Sequence, residues 1–538
     1  MTPPSESPRS DADFDETMYL NILRDDPPLK RYVSRGDTRD SVDILGPHEE
    51  VDRAIFRAVR FTMQDGTPRF QPVLGSAGMG KTHLYWVLKH QEDYFKKGRF
   101  IAVYVPSPPA PVRIPLHFHA CLVDEAGEKI FEDAVDMLMK KFGGLGGVSH
   151  EIYDYNYAQE RLLVDYPGIS SDVVRVLLRY RLDPANADLS RRWLLGDALS
   201  DHETERLGVR TILEDDDVTM ATLKLLAEGS TSPILLFIDE MEGPYNAHGE
   251  DGERRFFEVL KRLYNECKNV VLIASSLTEI WDRIYALADG PMKSRMERPV
   301  HLQPFTRDDV AEFIQETMNE FWNVQNVEAP PNPIFPFSQS DIDDIFGKSE
   351  GNPREAIRHA ISRQDSILFD REEVPVEEQP DYVVKLTPTV LVGALIKALQ
   401  ISAEKCDAEV KLDVKATEKT KESTAIAVLR KGKTMKRIAL DVPNVKDWDR
   451  SGGIAAYYSA QRLKEILDAD EADIAMIAVP TKTAGAKFKA IDMALGPKLV
   501  DVVLNQKSGV ALVENTQKGY LADFQSKVFD DMIDWLFS

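Results

Sequence analysis

Cysteine is scarce in this chain. Its 538 residues include three, Cys121, Cys267 and Cys406, far apart and with no CxxC pair. That argues against a disulfide framework or a cysteine-rich zinc site and fits a reducing compartment. Long apolar runs are missing too: the longest, such as Ile234–Ile238, fall far short of the roughly 20 residues that span a bilayer. The opening MTPPSESPRSDADFDE has neither a basic n-region nor an apolar h-region, so a secretory leader is not expected. Its Pro, Ser and acid content predicts a disordered tail over residues 1–18. Positive charge is in deficit, with 66 Lys and Arg against 89 Asp and Glu and a formal net charge of −23. Such a surface repels nucleic acid and anionic lipid at long range, so DNA has to be met by a local basic patch. The expectation is a cytoplasmic protein with no membrane partner.

What is present is enough for several domains, since 43% of residues are hydrophobic and 29% charged. From Gly46 to about Ala360, short β-branched runs alternate with helical stretches, the pattern of a parallel sheet flanked by helices. Strands are expected at Phe70–Leu74, Arg99–Val105, Ile234–Asp239, Val270–Ser275 and Val300–Leu302. PSPPAPVRIP at Pro106–Pro115 reads as extended loop. Amphipathic, charge-rich segments predict a helical insertion over about 127–226. Arg307–Trp322 and Arg354–Arg363 read as helices of a lid, residues 306–366. The acidic, Pro-bearing DREEVPVEEQP at Asp370–Pro380 marks a linker, 367–382. Residues 383–538 alternate strands (Ala408–Val414, Thr424–Leu429, Met435–Val442, Asp473–Val479, Leu499–Leu504) with helices such as Ile454–Leu467, a second α/β domain in which acidic and basic residues nearly balance. The core domain is expected to span 19–305.

Gly75-Ser76-Ala77-Gly78-Met79-Gly80-Lys81-Thr82 matches GxxxxGK[ST], with apolar residues before it and a helix-forming stretch after. Glycines let the backbone N–H groups wrap phosphates, and the helix N-terminus adds its positive dipole end. Lys81 is expected to neutralise β/γ oxygens and the Thr82 hydroxyl to coordinate Mg²⁺. Downstream, Ile234-Leu235-Leu236-Phe237-Ile238 ends in Asp239-Glu240. Burying a charge is costly, so two acids closing an apolar strand call for a metal or another partner. Asp239 is the candidate Mg²⁺ residue and Glu240 the candidate general base for the attacking water. ATP and Mg²⁺ are the expected cofactors of a P-loop NTPase fold.

In motif order, residues 40–365 resemble the AAA+ ATPases, in particular the origin-recognition branch and the related signal-transducing branch. Asp43-Ile44-Leu45-Gly46 with Glu49-Glu50 is similar to the segment that packs on adenine in that family, although Pro47 stands where the family carries Arg. The resemblance implies a sensor-1 serine at Ser275 or Ser276, arginine fingers at Arg295 and Arg298 acting on a neighbouring subunit's ATP, and a sensor-2 arginine at Arg354 in Gly351-Asn352-Pro353-Arg354-Glu355. Lys81 and Asp239 lie 158 residues apart, more than a minimal core needs. Within that excess, Trp193-Leu194-Leu195-Gly196-Asp197-Ala198-Leu199, then Glu203 and Leu207-Gly208-Val209, is similar to a stretch in ATP-binding proteins of BREX-type phage-defence systems. No winged helix is apparent after the lid.

Between Lys405 and Arg437 ten cations face five acids, a possible phosphate-tracking surface or a guarded sheet edge. The element order there resembles the restriction-endonuclease-like fold, whose nucleases use an acid followed by (Asp/Glu)-x-Lys. Asp413-Val414-Lys415 fits, with Asp407 or Glu409 upstream, whereas Asp441 has Pro443 in place of the lysine. His117-Phe118-His119 reads as a strand with both imidazoles on one solvated face, and His83 as a packing residue; no zinc site is expected. The whole predicts a Mg-dependent AAA+ ATPase that couples ATP turnover to assembly or remodelling of a partner, DNA-linked in the sense of replication, repair or phage defence. It would act as a homo-oligomer or paired with another ATPase, on a protein partner. A slow nucleotide switch or scaffold and an ATP-gated nuclease are the alternatives.

Overall fold

Two five-stranded sheets organise the chain. The structure, a computed structural model, describes residues 15–34, 40, 42–94, 100–141, 164, 171–370, 386–420, 424–445, 447–483 and 485–537. Residues 1–14 of the expected tail and 371–382 of the expected linker lie outside these; the first helix, Glu16–Asp25, starts inside the expected tail, and the helix Pro353–Phe369 runs into the start of the expected linker.

The first sheet comprises β1 (Arg69–Leu74), β2 (Ile101–Val105), β3 (Ile234–Ile238), β4 (Val270–Ser276) and β5 (Val300–His301), in the order β2-β3-β4-β1-β5, with every pairing parallel. These are the five expected strands, to within two residues at each end. Parallel strands need helical crossovers on both faces, which is why their sequences are apolar almost throughout. Ile234, Leu236 and Ile238 enter one core, while Leu235 and Phe237 turn to the other, shared with the helices Glu49–Asp65 and Lys81–Tyr94. Because all five strands run the same way, their C-terminal ends share one edge, where ligands of such sheets bind.

Between β2 and β3 the chain forms the helices Ile114–Ala126, Lys129–Lys141, Ser171–Leu182, Ala187–Leu194, Asp201–Leu207 and Asp216–Gly229. The first of these corrects two expectations. Pro115 stands in the first turn of a helix, where its missing N–H costs nothing, so the Pro-rich loop ends earlier than its composition suggests. His117 and His119 are therefore helical and buried, not paired on a solvated strand face. After β5 come the helices Arg307–Gln325, Gln339–Ser349 and Pro353–Phe369, built around a core of their own.

The second sheet runs β10-β9-β8-β7-β6, from β6 (Glu409–Leu412), β7 (Ala425–Lys431), β8 (Thr434–Asp441), β9 (Ile474–Pro480) and β10 (Leu499–Leu504). The pairs β6/β7 and β7/β8 are antiparallel, and β8/β9 and β9/β10 parallel. One face packs on the helices Pro388–Glu404, Gln506–Gln517 and Asp523–Phe537, the other on Gly453–Asp468 and Ala486–Leu495. β6 is shorter than expected because the Asp413 carboxylate accepts from the Ala416 N–H and caps a short helix, Val414–Lys419.

The two sheets are joined through the loop that follows β2. Its Ala110 and Val112 are buried in the core of the second sheet, and the Thr389 hydroxyl donates to the Val112 carbonyl at 3.2 Å. The loop ends at Arg113, a left-handed residue (φ 52°) with a 2% exposed side chain. Its guanidinium donates to the Val442 carbonyl (2.9 Å) and to Asp441 (3.2 Å) and lies 3.3 Å from Glu214. Arg462 forks onto the same Asp441 carboxylate at 2.8 and 3.1 Å and sits 3.4 Å from Glu214. Two guanidiniums thus meet two carboxylates in a largely buried place, with only Arg462 keeping a partly exposed side.

Candidate functional site

The glycine loop leaves β1 and runs into the helix Lys81–Tyr94, as its sequence predicts. Gly78 and Gly80 take φ values of 82° and 83°, which a side chain would resist. The Lys81 ammonium is curled into the loop and donates to the Gly75 (2.8 Å) and Ser76 (3.0 Å) carbonyls. Burial pulls its affinity for a proton down, against the opposing fields of Glu242, Asp239 and Glu279.

β4 lies between β1 and β3, so it brings Ser275 level with the end of β3. Asp239, 2% exposed, is held by three hydroxyls: Thr82 at 2.7 Å and Tyr104 at 3.0 Å on one carboxylate oxygen, Ser275 at 2.9 Å on the other. The Glu240 N–H also donates to it, at 3.0 Å. No Lys or Arg lies in ion-pair range of Asp239 among the described residues, so this buried carboxylate is hydrogen-bonded by neutral groups and feels the Lys81 charge only through its field. Its oxygen-rich neighbourhood is the donor chemistry that hard divalent cations take. The pair of acids and Thr82 therefore fit Mg²⁺. Of the two candidate serines, Ser275 reaches the aspartate; Ser276 donates to the Leu277 carbonyl.

Glu240 itself has φ 54°, an uncommon conformation for a glutamate, and it turns the side chain out of the strand line into a cavity. Crowding by protein, then the charges of Asp239 and Glu242, raise its pKa above the ordinary value, with Lys81 and Arg354 pulling the other way. The cavity holds about 490 Å³, within the usual range for small-ligand sites. Its polar end is lined by Ala77–Thr82, Asp239, Glu240, Glu242 and Arg354, and its apolar side by Ile44, Leu302, Phe305, Phe313 and Ile357.

The helical lid touches the loop directly. The Asn352 side-chain amide donates to the Ala77 carbonyl at 2.9 Å, and the Arg354 N–H to the Gly78 carbonyl at 3.2 Å. A Cβ on Gly78 would stand 2.6 Å from Asn352 Oδ1, so that glycine is also what lets the lid come down. Arg354 lines the cavity. Arg295 and Arg298 do not: both are exposed on the segment before β5, Arg295 bonded to Asn265 at 3.0 Å and the Arg298 carbonyl to Gln71.

Sequence reasoning missed several parts. Tyr104 carries no local signal, since it is one apolar-looking strand residue among others. His83 is no packing residue: it bonds Asp40 and Asp43 at 3.0 and 3.1 Å, and Asp43 is shared with His48, which also bonds Asp52. Despite burial, these carboxylates lift the His48 pKa to about 10 and that of His83 to about 9. The alternating chain Asp52–His48–Asp43–His83–Asp40 clips Asp40 and residues 42–52 to the first turn of the helix that carries Lys81 and Thr82.

No protein-family model matches the chain, and no curated protein is similar to it in sequence. Among solved structures, Drosophila ORC bound to DNA is similar at a TM-score of 0.30 and 12% identity, over 75% of this chain and 76% of that one. The Aeropyrum pernix ORC2 protein, in ADPNP–ADP complexes, is similar at 0.33 and 11%, over 93% and 98%.

Proposed function

We propose that the protein is a Mg-dependent ATPase whose nucleotide lies in the 490 Å³ cavity, phosphates on the glycine loop and base toward Ile44 and Phe313. The observation that carries this is the meeting of Thr82, Asp239, Ser275 and Glu240 at the shared edge of β1, β4 and β3, under Arg354 of the lid. Thr82 and Asp239 would hold Mg²⁺, which supplies charge neutralisation at the phosphates. Lys81 exchanges its two loop carbonyls for phosphate oxygens, Glu240 accepts the proton of the attacking water, and Ser275 and Tyr104 keep Asp239 in place. Arg354 answers the γ-phosphate from the lid, so nucleotide occupancy and lid position are linked. Arg295 and Arg298, exposed and outside their own cavity, serve a neighbouring subunit, in a homo-oligomer or beside another ATPase. The partner that turnover remodels is DNA-linked, met through the basic part of the second sheet, with a protein partner alongside.

Steady-state hydrolysis by the protein and by Glu240→Gln, with and without duplex DNA, tests this. Turnover that Glu240→Gln abolishes and DNA stimulates is the expected result. Retained ATP binding with no turnover in the unmodified protein would instead make it a slow switch or scaffold, a reading favoured by the direct lid-to-loop bond between Asn352 and Ala77. The nuclease alternative finds no support in the geometry: Asp413 caps a helix, Glu409 pairs with Lys411 at 2.5 Å, and Asp441 is saturated by arginines.

A further inference from the structure

The hairpin β7–β8 carries five cations in the eight residues Arg430–Arg437, with no acid among them. Its turn is Gly432-Lys433, and the pairs Lys431↔Thr434, Arg430↔Met435 and Val428↔Arg437 fix a regular two-stranded ribbon. Neighbouring strands stop short of the tip. β6 reaches only to the row of Arg430, and β9 begins opposite Ile438. The tip therefore overhangs the sheet.

All these residues except Lys436 are exposed, and Met435, at 53%, puts an apolar side chain at the tip. Lys436 is paired with Asp473 at 3.1 Å. Lys431 rests over the Phe537 ring and Arg430 against the Met435 sulfur, contacts that orient the cations without neutralising them. Among the described residues, no acid lies in ion-pair range of Arg430, Lys431, Lys433 or Arg437. On a chain of net charge −23 this is a preserved island of positive charge.

We infer that the β7–β8 ribbon is the surface that docks on duplex nucleic acid, with Arg430, Lys431, Lys433 and Arg437 on backbone phosphates and Met435 directed into a groove. A two-stranded antiparallel ribbon is one of the shapes the major groove admits, where an apolar side chain can meet a thymine methyl. The inference rests on the DNA-linked reading above and names the element that would carry it.

Phosphate neutralisation releases counterions, so each lost contact lowers the slope of log K against log salt by about 0.9. Binding of a fluorescent DNA duplex would be measured across a salt series for the full chain. It would be repeated for the triple variant Lys431→Ala, Lys433→Ala, Arg437→Ala, and for a control triple, Arg53→Ala, Arg254→Ala, Lys348→Ala, on exposed paired cations elsewhere. The ribbon variant is expected to lose about 2.7 from the slope, the control nothing, with ATP binding equal in all three. Duplex binding with an unchanged slope in the ribbon variant overturns the assignment to the ribbon and leaves the DNA-linked reading standing. No duplex binding by the full chain overturns both. Ribbon-dependent binding to anionic vesicles or an acidic peptide, with none to duplex, replaces the partner and overturns the inference.

Discussion

Asp239 and Asp441 both lie at the end of an inner strand of a five-stranded sheet, and both are buried, yet they are opposites. Asp239 is surrounded by hydroxyls and has no cationic partner among the described residues; Asp441 accepts from two guanidiniums and the Thr424 hydroxyl at 2.9 Å. A buried carboxylate with no cation in contact is kept at a cost to the fold, which points to a cation delivered from outside. One that is saturated internally has no capacity left for a ligand, and removing it strands its partners. Burial therefore does not separate a chemical aspartate from a structural one; the inventory of nearby positive charge does.

The sharpest way to break this comparison is at Glu240, the neighbour that gives Asp239 its chemistry. Glu240→Gln is expected to lower hydrolysis about 10²–10⁴-fold with ATP binding kept. Because the base must be ionised and its pKa is raised, the acid limb of the unmodified enzyme should lie at higher pH than for an ordinary glutamate. Next in size is the exchange of each aspartate for asparagine. Asp441→Asn should cost about 3–5 kcal/mol in denaturant unfolding, as removal of one partner from a buried ionic cluster does. Asp239→Asn should leave the unfolding midpoint unchanged or raised while abolishing Mg-dependent nucleotide binding. Equal loss of stability in the two variants would sink the distinction. Tyr104→Phe sharpens it at smaller scale, since one hydrogen bond to a carboxylate is worth about 1.5–3 kcal/mol and the ring packing on Phe237 survives; a several-fold fall in kcat is expected, with a loss of stability smaller than that of Asp441→Asn.

The smallest effect concerns the histidine clip. Folding raises the pKa of His48 from 6.5 to about 10 and that of His83 from 6.5 to about 9. Their stabilisation is thus complete below pH 6.5 and is lost as the pH rises through 9 and then 10. Hydrogen exchange in residues 42–48 should quicken over that window relative to the strands of the first sheet. Exchange that holds steady from pH 6.5 to 10, once corrected for the intrinsic rate, would show that the clip does not hold the segment.

The site was legible in the sequence to the extent that its parts are contiguous. Gly75–Thr82 and Ile234–Glu240 each encode strand, turn and chemistry in one short stretch, and parallel pairing alone then brings Asp239 and Ser275 beside Thr82. The segment before the first long helix was read for its apolar contact, but its electrostatic link to His83 spans 40 residues and leaves no local mark. The Arg113–Glu214–Asp441–Arg462 cluster was out of reach for the same reason: four side chains from four separate elements, none in a motif. His117 was misread because Pro115 looks like the end of a loop when it is the start of a helix. Asp413 was misread because a capping aspartate and a strand-end aspartate share one local sequence.

The loop after β2 has a practical meaning for anyone dissecting this protein. Its Ala110 and Val112 belong to the hydrophobic interior of a sheet encoded some three hundred residues later. A chain terminated between the two halves would present those side chains, and the charged arginine that follows them, to water. The halves are not interchangeable cassettes: neither a swapped C-terminal half nor an isolated ATPase fragment inherits a finished surface, and fragments should be sought as co-expressed pairs.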